Sequence, residues 1–112
     1  MNFQILAVTA AFVALDVVFG FAQAAKNNAI SSTKMRDGLF HKLGFLGAVV
    51  LACLCEYAEG IVDLGFSVPL AVPVCAFIIL TEVVSILENL GKLAPELAAD
   101  TFLKYFKNAG ND

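Results

Sequence analysis

The sequence predicts an all-α membrane protein with three transmembrane helices and a short amphipathic helix near the C-terminus. Apolar residues make up 60% of the 112 residues and charged residues only 15%, whereas an ordinary soluble domain is about 45–50% apolar. A chain this short has too much surface for its volume to hide so many apolar side chains from water. Lipid or a partner must therefore cover much of the folded chain, which we expect to form a single domain over residues 1–112.

The first apolar run covers residues 3–25. It is long enough to cross a hydrocarbon core of about 30 Å, because a helix rises about 1.5 Å per residue. Asp16 is its only charged residue, and favourable insertion of the surrounding Phe, Ile, Leu and Val outweighs the cost of that aspartate. A cleaved signal peptide is the alternative, since Ala22-Gln23-Ala24 resembles a cleavage site. The lack of any preceding Lys or Arg favours a retained span.

Two further apolar runs cover residues 43–62 and 64–87, and a polar connector at residues 26–38 precedes them. Each run has the length that a membrane-spanning helix needs. Only Asp63 and its neighbours separate the two runs, so the sequence predicts a tight antiparallel hairpin between the second and third helices. Pro73 lies near the start of the third run, where we expect it to bend the helix.

Residues 95–107 are predicted to form an amphipathic helix that lies along the membrane surface. Pro95 suits the first turn of a helix. Glu96, Asp100 and Lys104 recur every four residues, which places them on one polar face opposite an apolar face.

The distribution of positive charge predicts the orientation in the membrane. The first connector and its flank contain Lys26, Lys34, Arg36, Asp37, Gly38 and Lys42. The connector between the second and third spans has no basic residue. Because loops rich in Lys and Arg remain in the cytoplasm, we expect the first connector and the C-terminus inside the cell and the N-terminus outside.

Ionisable residues within the spans are the candidates for function, because charged groups in a membrane are costly and usually face protein or water. Helical spacing places them on one stripe of each span, together with polar or small residues. The candidates for pore lining or helix packing are Asp16, Gly20, Gln23, Glu56, Glu59, Glu82, Ser85 and Asn89.

Two interpretations remain open for Asp16 and Glu82: they line a pore, or they form hydrogen bonds inside a closed bundle. Glu56, Glu59 and Lys42 lie near the ends of the predicted spans. We expect their side chains to extend toward the lipid headgroups.

Several functional classes are excluded by the composition. A net charge of −3 with scattered basic residues argues against nucleic-acid binding, which needs a basic surface to neutralise phosphates. The three cysteines lie in apolar runs, His41 is the only histidine, and no phosphate-binding loop or nucleophile pattern occurs. The sequence therefore predicts no enzyme, no metal site and no cofactor.

Three motifs follow one another along the chain. They are Asp16-Val17-Val18-Phe19-Gly20, then Ser31-Ser32 with Asp37-Gly38-Leu39-Phe40-His41-Lys42, and finally Glu82-Val83-Val84-Ser85-Ile86-Leu87-Glu88-Asn89, which precedes Gly91 and Pro95-Glu96-Leu97. Their order and spacing resemble the toxin-secretion and phage-lysis holin family over about residues 10–106. Phe19 and His41 depart from the pattern, where Leu and Arg are expected.

The resemblance implies a protein that oligomerises in the bacterial inner membrane and permeabilises it, so that an endolysin or toxin is released during host lysis. Its implied partners are lipid and further copies of the chain, with the endolysin as a functional partner that is not stably bound. Two alternatives fit the same residues: a small ion- or proton-coupled transporter in which Asp16 or Glu82 titrates, and an inhibitory antiholin.

Overall fold

A computed structural model describes residues 3–97 and residue 104. Within them the chain forms three long helices and one short 3-10 turn, namely α1 (Phe3–Lys26), α2 (Ser32–Glu59), α3 (Ala71–Leu93) and the turn Pro95–Leu97. All three helices are long and apolar enough to cross a membrane, judged by length and composition. The predicted all-helical fold with three membrane-spanning helices is therefore confirmed.

The amphipathic helix predicted over residues 95–107 lies largely outside the described residues. Of this segment the structure describes Pro95–Leu97, which forms a single 3-10 turn, and Lys104.

Helix α1 ends in a compact turn centred on Asn28, whose backbone has a positive φ of 52°. The backbone N–H of Ala29 donates to the carbonyl of Ala24 at 2.8 Å, and that of Asn28 donates to Ala25 at 3.3 Å. This pair of bonds is the Schellman arrangement, which satisfies the last carbonyl groups of a helix. Asparagine adopts a positive φ more readily than most residues, so the local sequence explains where α1 stops.

Helix α2 begins at Ser32, well before the second apolar run at residue 43. Ser31 is its N-cap, and the hydroxyl oxygen accepts a hydrogen bond from the backbone N–H of Lys34 at 3.3 Å. The prediction of a polar connector over residues 26–38 is therefore wrong in extent, because only residues 27–31 lie between the two helices. Hydropathy marks the part of a helix that suits lipid, whereas the cap residue marks where the helix begins.

The tight hairpin predicted before the third helix is also wrong, because residues 60–70 form a long connector without helix. Gly65 has a positive φ of 81°, and its N–H donates to the Asp63 carboxylate at 2.9 Å. Pro69 disfavours helical backbone in the residue before it, so α3 begins after it. Pro73 then lies in the first helical turn, where a missing N–H breaks no helical bond, which removes the reason for the predicted bend.

Helices α1 and α3 form the tightly packed part of the bundle. They run parallel, because Lys26 at the end of α1 binds Leu93 at the end of α3, and α2 is antiparallel to both, because Glu56 near its end binds Ala71 at the start of α3. The buried face of α3 consists of Ala71, Cys75, Ile78, Glu82, Ile86 and Asn89. In α2, all of which is described, only Ala52 is buried. An apolar groove of about 850 Å³, lined by residues such as Val13 and Val50, separates α1 from α2. Helix α2 is therefore attached mainly to α3.

The distribution of polarity is the reverse of that in a soluble protein. Phe77 and Leu80 are 64% and 67% exposed, whereas the Glu82 side chain close to them in α3 is among the most deeply buried groups. Lipid solvates the outer apolar surface, and polar groups avoid it by facing inward. The candidate functional residues are therefore the polar side chains inside the bundle.

Candidate functional site

A group of four polar side chains connects the three helices in the interior of the bundle. It consists of Asp16 on α1, Lys42 on α2, and Glu82 and Asn89 on α3, and is called the polar cluster here. The Lys42 Nζ lies 2.9 Å from Asp16 Oδ2 and 2.9 Å from each carboxylate oxygen of Glu82. A single ammonium group on α2 therefore bridges carboxylates on both other helices.

Asp16 has a different partner on each of its carboxylate oxygens. Lys42 binds Oδ2, and the side-chain amide of Asn89 donates to Oδ1 at 2.9 Å. The same amide also lies 3.4 Å from the backbone carbonyl of Asp16. Ser85 lies on the same face of α3 as Asn89, one helical turn before it. The aspartate is thus fully engaged between the two parallel helices.

Burial makes these contacts necessary. Asp16 is 8% exposed, Glu82 is 2% exposed and Asn89 is 9% exposed. Unpaired charges are very costly in such surroundings. Among the described residues no buried side-chain nitrogen or oxygen lacks a hydrogen-bond partner. With all groups ionised, the two carboxylates and one ammonium leave the polar cluster with a formal charge of −1.

Gly20 lies opposite Asn89 at the contact between α1 and α3. Gly20 lies one helical turn after Asp16, and a Cβ atom built there would be 3.5 Å from Asn89 Nδ2. The glycine thus faces the amide that binds Asp16. Of the predicted candidates, Asp16, Gly20, Glu82, Ser85 and Asn89 are brought together at the contact between α1 and α3.

Glu56 and Glu59 lie at the opposite end of α2 and do not join the polar cluster. The Glu56 carboxylate accepts a hydrogen bond from the backbone N–H of Ala71 at 2.8 Å, and Glu59 accepts one from Val68 at 3.3 Å. Leu70, the N-cap of α3, has no side-chain capping bond, so Glu56 supplies the cap from another helix. Carboxylates are favoured at this position because the N-terminus of a helix is partially positive.

This capping role was missed by the sequence reasoning. Its signal is present in the sequence: two acids close the second apolar run, and the apolar Leu70 precedes the third helix without offering a cap of its own. When no polar residue precedes a helix, the free backbone N–H groups of its first turn need a hydrogen-bond acceptor from another part of the chain.

Lys42 does not extend toward the lipid headgroups as predicted. It seemed to lie just outside the second span because hydropathy placed the start of that span at residue 43. Since α2 begins at Ser32, Lys42 instead lies inside a helix, where its orientation is fixed. The signal that sequence reasoning missed is a cation directly beside the second apolar run, which can pair with the acids of the first and third runs.

The remaining predicted residues lie at the same end of the bundle as the turn between α1 and α2. Lys34, Arg36, Asp37 and Gly38 are exposed in the first turns of α2. Lys26 donates from its ammonium group to the backbone carbonyl of Leu93 at 2.5 Å. The carbonyl of Gln23 accepts from the side chain of Asn27 at 2.9 Å. Lys26 therefore fastens the last turn of α1 to the last turn of α3.

Three apolar helices around a buried ionic cluster define a multi-pass membrane protein. The chain matches the model of the Bacteriophage holin family over residues 3–105, which is most of its length, and it belongs to that family. Holins are non-enzymatic proteins that permeabilise a membrane during phage lysis, which confirms the predicted family, the predicted general function and the prediction of no enzyme. No curated protein and no solved structure shows a significant match to the chain.

Proposed function

We propose that copies of this chain accumulate in the bacterial inner membrane and assemble into oligomers whose opening releases an endolysin. The observation that supports this proposal is the polar cluster: costly polar groups are stored inside a bundle with an apolar outer surface. Such a monomer is compatible with lipid on all sides as long as the cluster stays closed.

The polar cluster also suggests what the oligomer uses to enclose water. When the helices move apart, Asp16, Glu82 and Asn89 must face water or another copy, because exposure to hydrocarbon is strongly unfavourable. Several copies that turn these side chains toward one another satisfy both requirements. The polar side chains would then line the opening, and the exposed apolar residues of α3, such as Leu80, would remain in lipid.

The orientation that we propose has the turn at residues 27–31 in the cytoplasm and the connector at residues 60–70 outside. Lys26, Lys34 and Arg36 lie at the first of these ends, whereas the second contains acids but no basic residue. Positively charged segments stay on the cytoplasmic side during insertion. The N-terminus would then be outside the cell and the C-terminus inside.

The function is tested by expressing the chain in a bacterium together with a cytoplasmic endolysin that lacks an export signal. Abrupt loss of turbidity that requires both proteins is the expected result, and an endolysin with an inactivated active site is the control. If the chain inserts but cells neither lyse nor lose membrane potential, the proposal fails. If the chain instead delays the lysis that a second, known holin causes, it is an inhibitory protein. If only small ions leak from the cells, it is a transporter.

The orientation is tested with single cysteines in a background where Cys53, Cys55 and Cys75 are replaced by alanine. A cysteine at Asn28 should be protected from a membrane-impermeant maleimide added to intact cells, and a cysteine at Asp63 should be labelled. Disruption of the membrane should make both positions reactive. The reverse labelling pattern contradicts the proposed orientation.

A further inference from the structure

We infer that Lys42 is a latch: its ion pairs hold α2 against the α1–α3 pair, and their release lets α2 swing away and uncovers the acids of the polar cluster. The consequence of this latch for lysis rests on the proposed function. The movement of α2 and the role of Lys42 in holding it do not depend on that function.

The α1–α3 pair has attachments that do not involve α2. The Asn89 amide binds both the side chain and the backbone carbonyl of Asp16, and Gly20 faces the same amide. Lys26 binds the carbonyl of Leu93 at the ends of the two helices. These contacts lie in the C-terminal halves of the two helices, and they keep α1 and α3 together when α2 leaves.

Helix α2 is held much less extensively. Ala52 is its only buried residue, and the apolar groove separates it from α1 over most of its length. A protein interior held by packing has few such gaps. The ion pair between Lys42 and Asp16 thus connects α2 to α1 across a gap that packing does not fill. Against α3, α2 has the Lys42–Glu82 ion pair and an edge-on contact between the Phe45 and Phe77 rings.

The far end of α2 adds a second but weaker attachment through Glu56 and Glu59. Their partners are backbone N–H groups next to the exposed connector, which water can satisfy instead. The carboxylates of Asp16 and Glu82 are buried and have no such replacement while the bundle is closed. Lys42 is therefore the contact whose loss changes the state of the bundle.

The two connectors allow the movement. Residues 27–31 are short and ordered by the capped turn, so they act as a pivot between α1 and α2. Residues 60–70 lie outside the helices, and a fully extended segment of that length reaches roughly 36–40 Å. The longer connector can follow α2 outward, and the acids on α1 and α3 then face the space that α2 has left.

The latch is tested by removing the charges without leaving any of them unpaired. The neutral variant carries Asp16→Asn, Glu82→Gln and Lys42→Met, which keep the side-chain sizes similar and leave an oxygen at position 16 to accept from Asn89. Lys34→Met is the matched control, because Lys34 is an exposed lysine on the same helix.

Distances between spin labels in reconstituted vesicles report the helix positions, in a background with the native cysteines replaced by alanine. Labels at Val8 on α1 and Leu54 on α2 follow the groove, and labels at Val8 and Leu80 follow the α1–α3 pair; all three positions are exposed. In the neutral variant the first distance should lengthen by about 10 Å, the width of a helix. The second distance should match that of the unchanged protein and of Lys34→Met.

An unchanged Val8–Leu54 distance in the neutral variant overturns the latch. A variant in which both distances lengthen also overturns it, because the α1–α3 pair would then not stand without α2. In the lysis assay the neutral variant should trigger earlier than the unchanged protein and Lys34→Met. If the unchanged protein causes no lysis, the proposed function fails, while the distances still decide whether Lys42 is a latch.

Discussion

The ammonium group of Lys42 on α2 lies 2.9 Å from both carboxylate oxygens of Glu82 on α3, so one nitrogen binds the two oxygens of the carboxylate equally. Glu82 is 2% exposed. A carboxylate this deeply buried depends on its partner for compensation, because water does not reach it. The contact therefore makes a specific prediction about the loss of either charge.

Lys42→Met is expected to destabilise the folded monomer by about 3–5 kcal/mol, the usual effect of removing one partner from a buried ion pair. The substitution leaves Asp16 and Glu82 next to each other without a cation. Reversible unfolding by sodium dodecyl sulphate in mixed micelles, followed by circular dichroism, measures the change. Lys34→Met, on the exposed face of α2, should alter the midpoint little; equal effects of the two substitutions would contradict the role of Lys42.

Exchanging the charges should recover stability that either single substitution loses. Lys42→Glu leaves three acids in the polar cluster without a cation, and Glu82→Lys leaves two ammonium groups beside one carboxylate. The double variant restores one cation with two acids. A double-mutant cycle in the same unfolding assay should give a favourable coupling of about 0.5–3 kcal/mol. Strict additivity of the two single effects would show that the residues do not interact in the folded protein.

Glu56→Ala should loosen the start of α3 without disturbing the polar cluster. The substitution removes the acceptor for the Ala71 N–H, and loss of a helix cap costs about 1 kcal/mol. Hydrogen exchange at the Ala71 amide should accelerate by roughly fivefold, the equivalent of that free energy. Glu88→Ala, an exposed acid on α3, is the control. Unaltered exchange at Ala71 would mean that Glu56 does not cap the helix in the membrane.

The fold was largely predictable because lipid imposes a simple rule on the sequence. Long apolar runs identify the three helices, since only such runs are stable across a hydrocarbon core. The helix ends were not predictable from hydropathy, because they depend on the capping by Ser31, the turn at Asn28 and the position of Pro69. These signals are local and polar, and they lie outside the apolar runs.

The candidate site was only half predictable for a related reason. Intramembrane acids such as Asp16 and Glu82 stand out because they are costly in lipid. Their pairing with Lys42 depends on how each helix is rotated about its axis and on the early start of α2. Neither is fixed by the composition of a single run. The capping by Glu56 needed the position of the next helix, which comes from tertiary packing.

Gly20 provides a test of how closely α1 and α3 are packed around the polar cluster. A Cβ atom there would lie 3.5 Å from Asn89 Nδ2, an ordinary contact distance, so Gly20→Ala should be tolerated and gain about 0.5–1 kcal/mol from the reduced flexibility of the unfolded chain. Gly20→Leu cannot fit without displacing Asn89 from Asp16 and should cost about 1–3 kcal/mol, as overpacking does.

The matched control for this prediction is Gly44→Leu on α2, where nothing lies within 4 Å of an added Cβ atom. The unfolding assay should find this variant close to the unchanged protein, because the new side chain enters lipid-facing space. If Gly20→Leu is as stable as Gly44→Leu, α1 and α3 are not in close contact at Asn89 in the membrane. The aspartate would then need another partner for its second oxygen, since a buried carboxylate oxygen without a donor is costly.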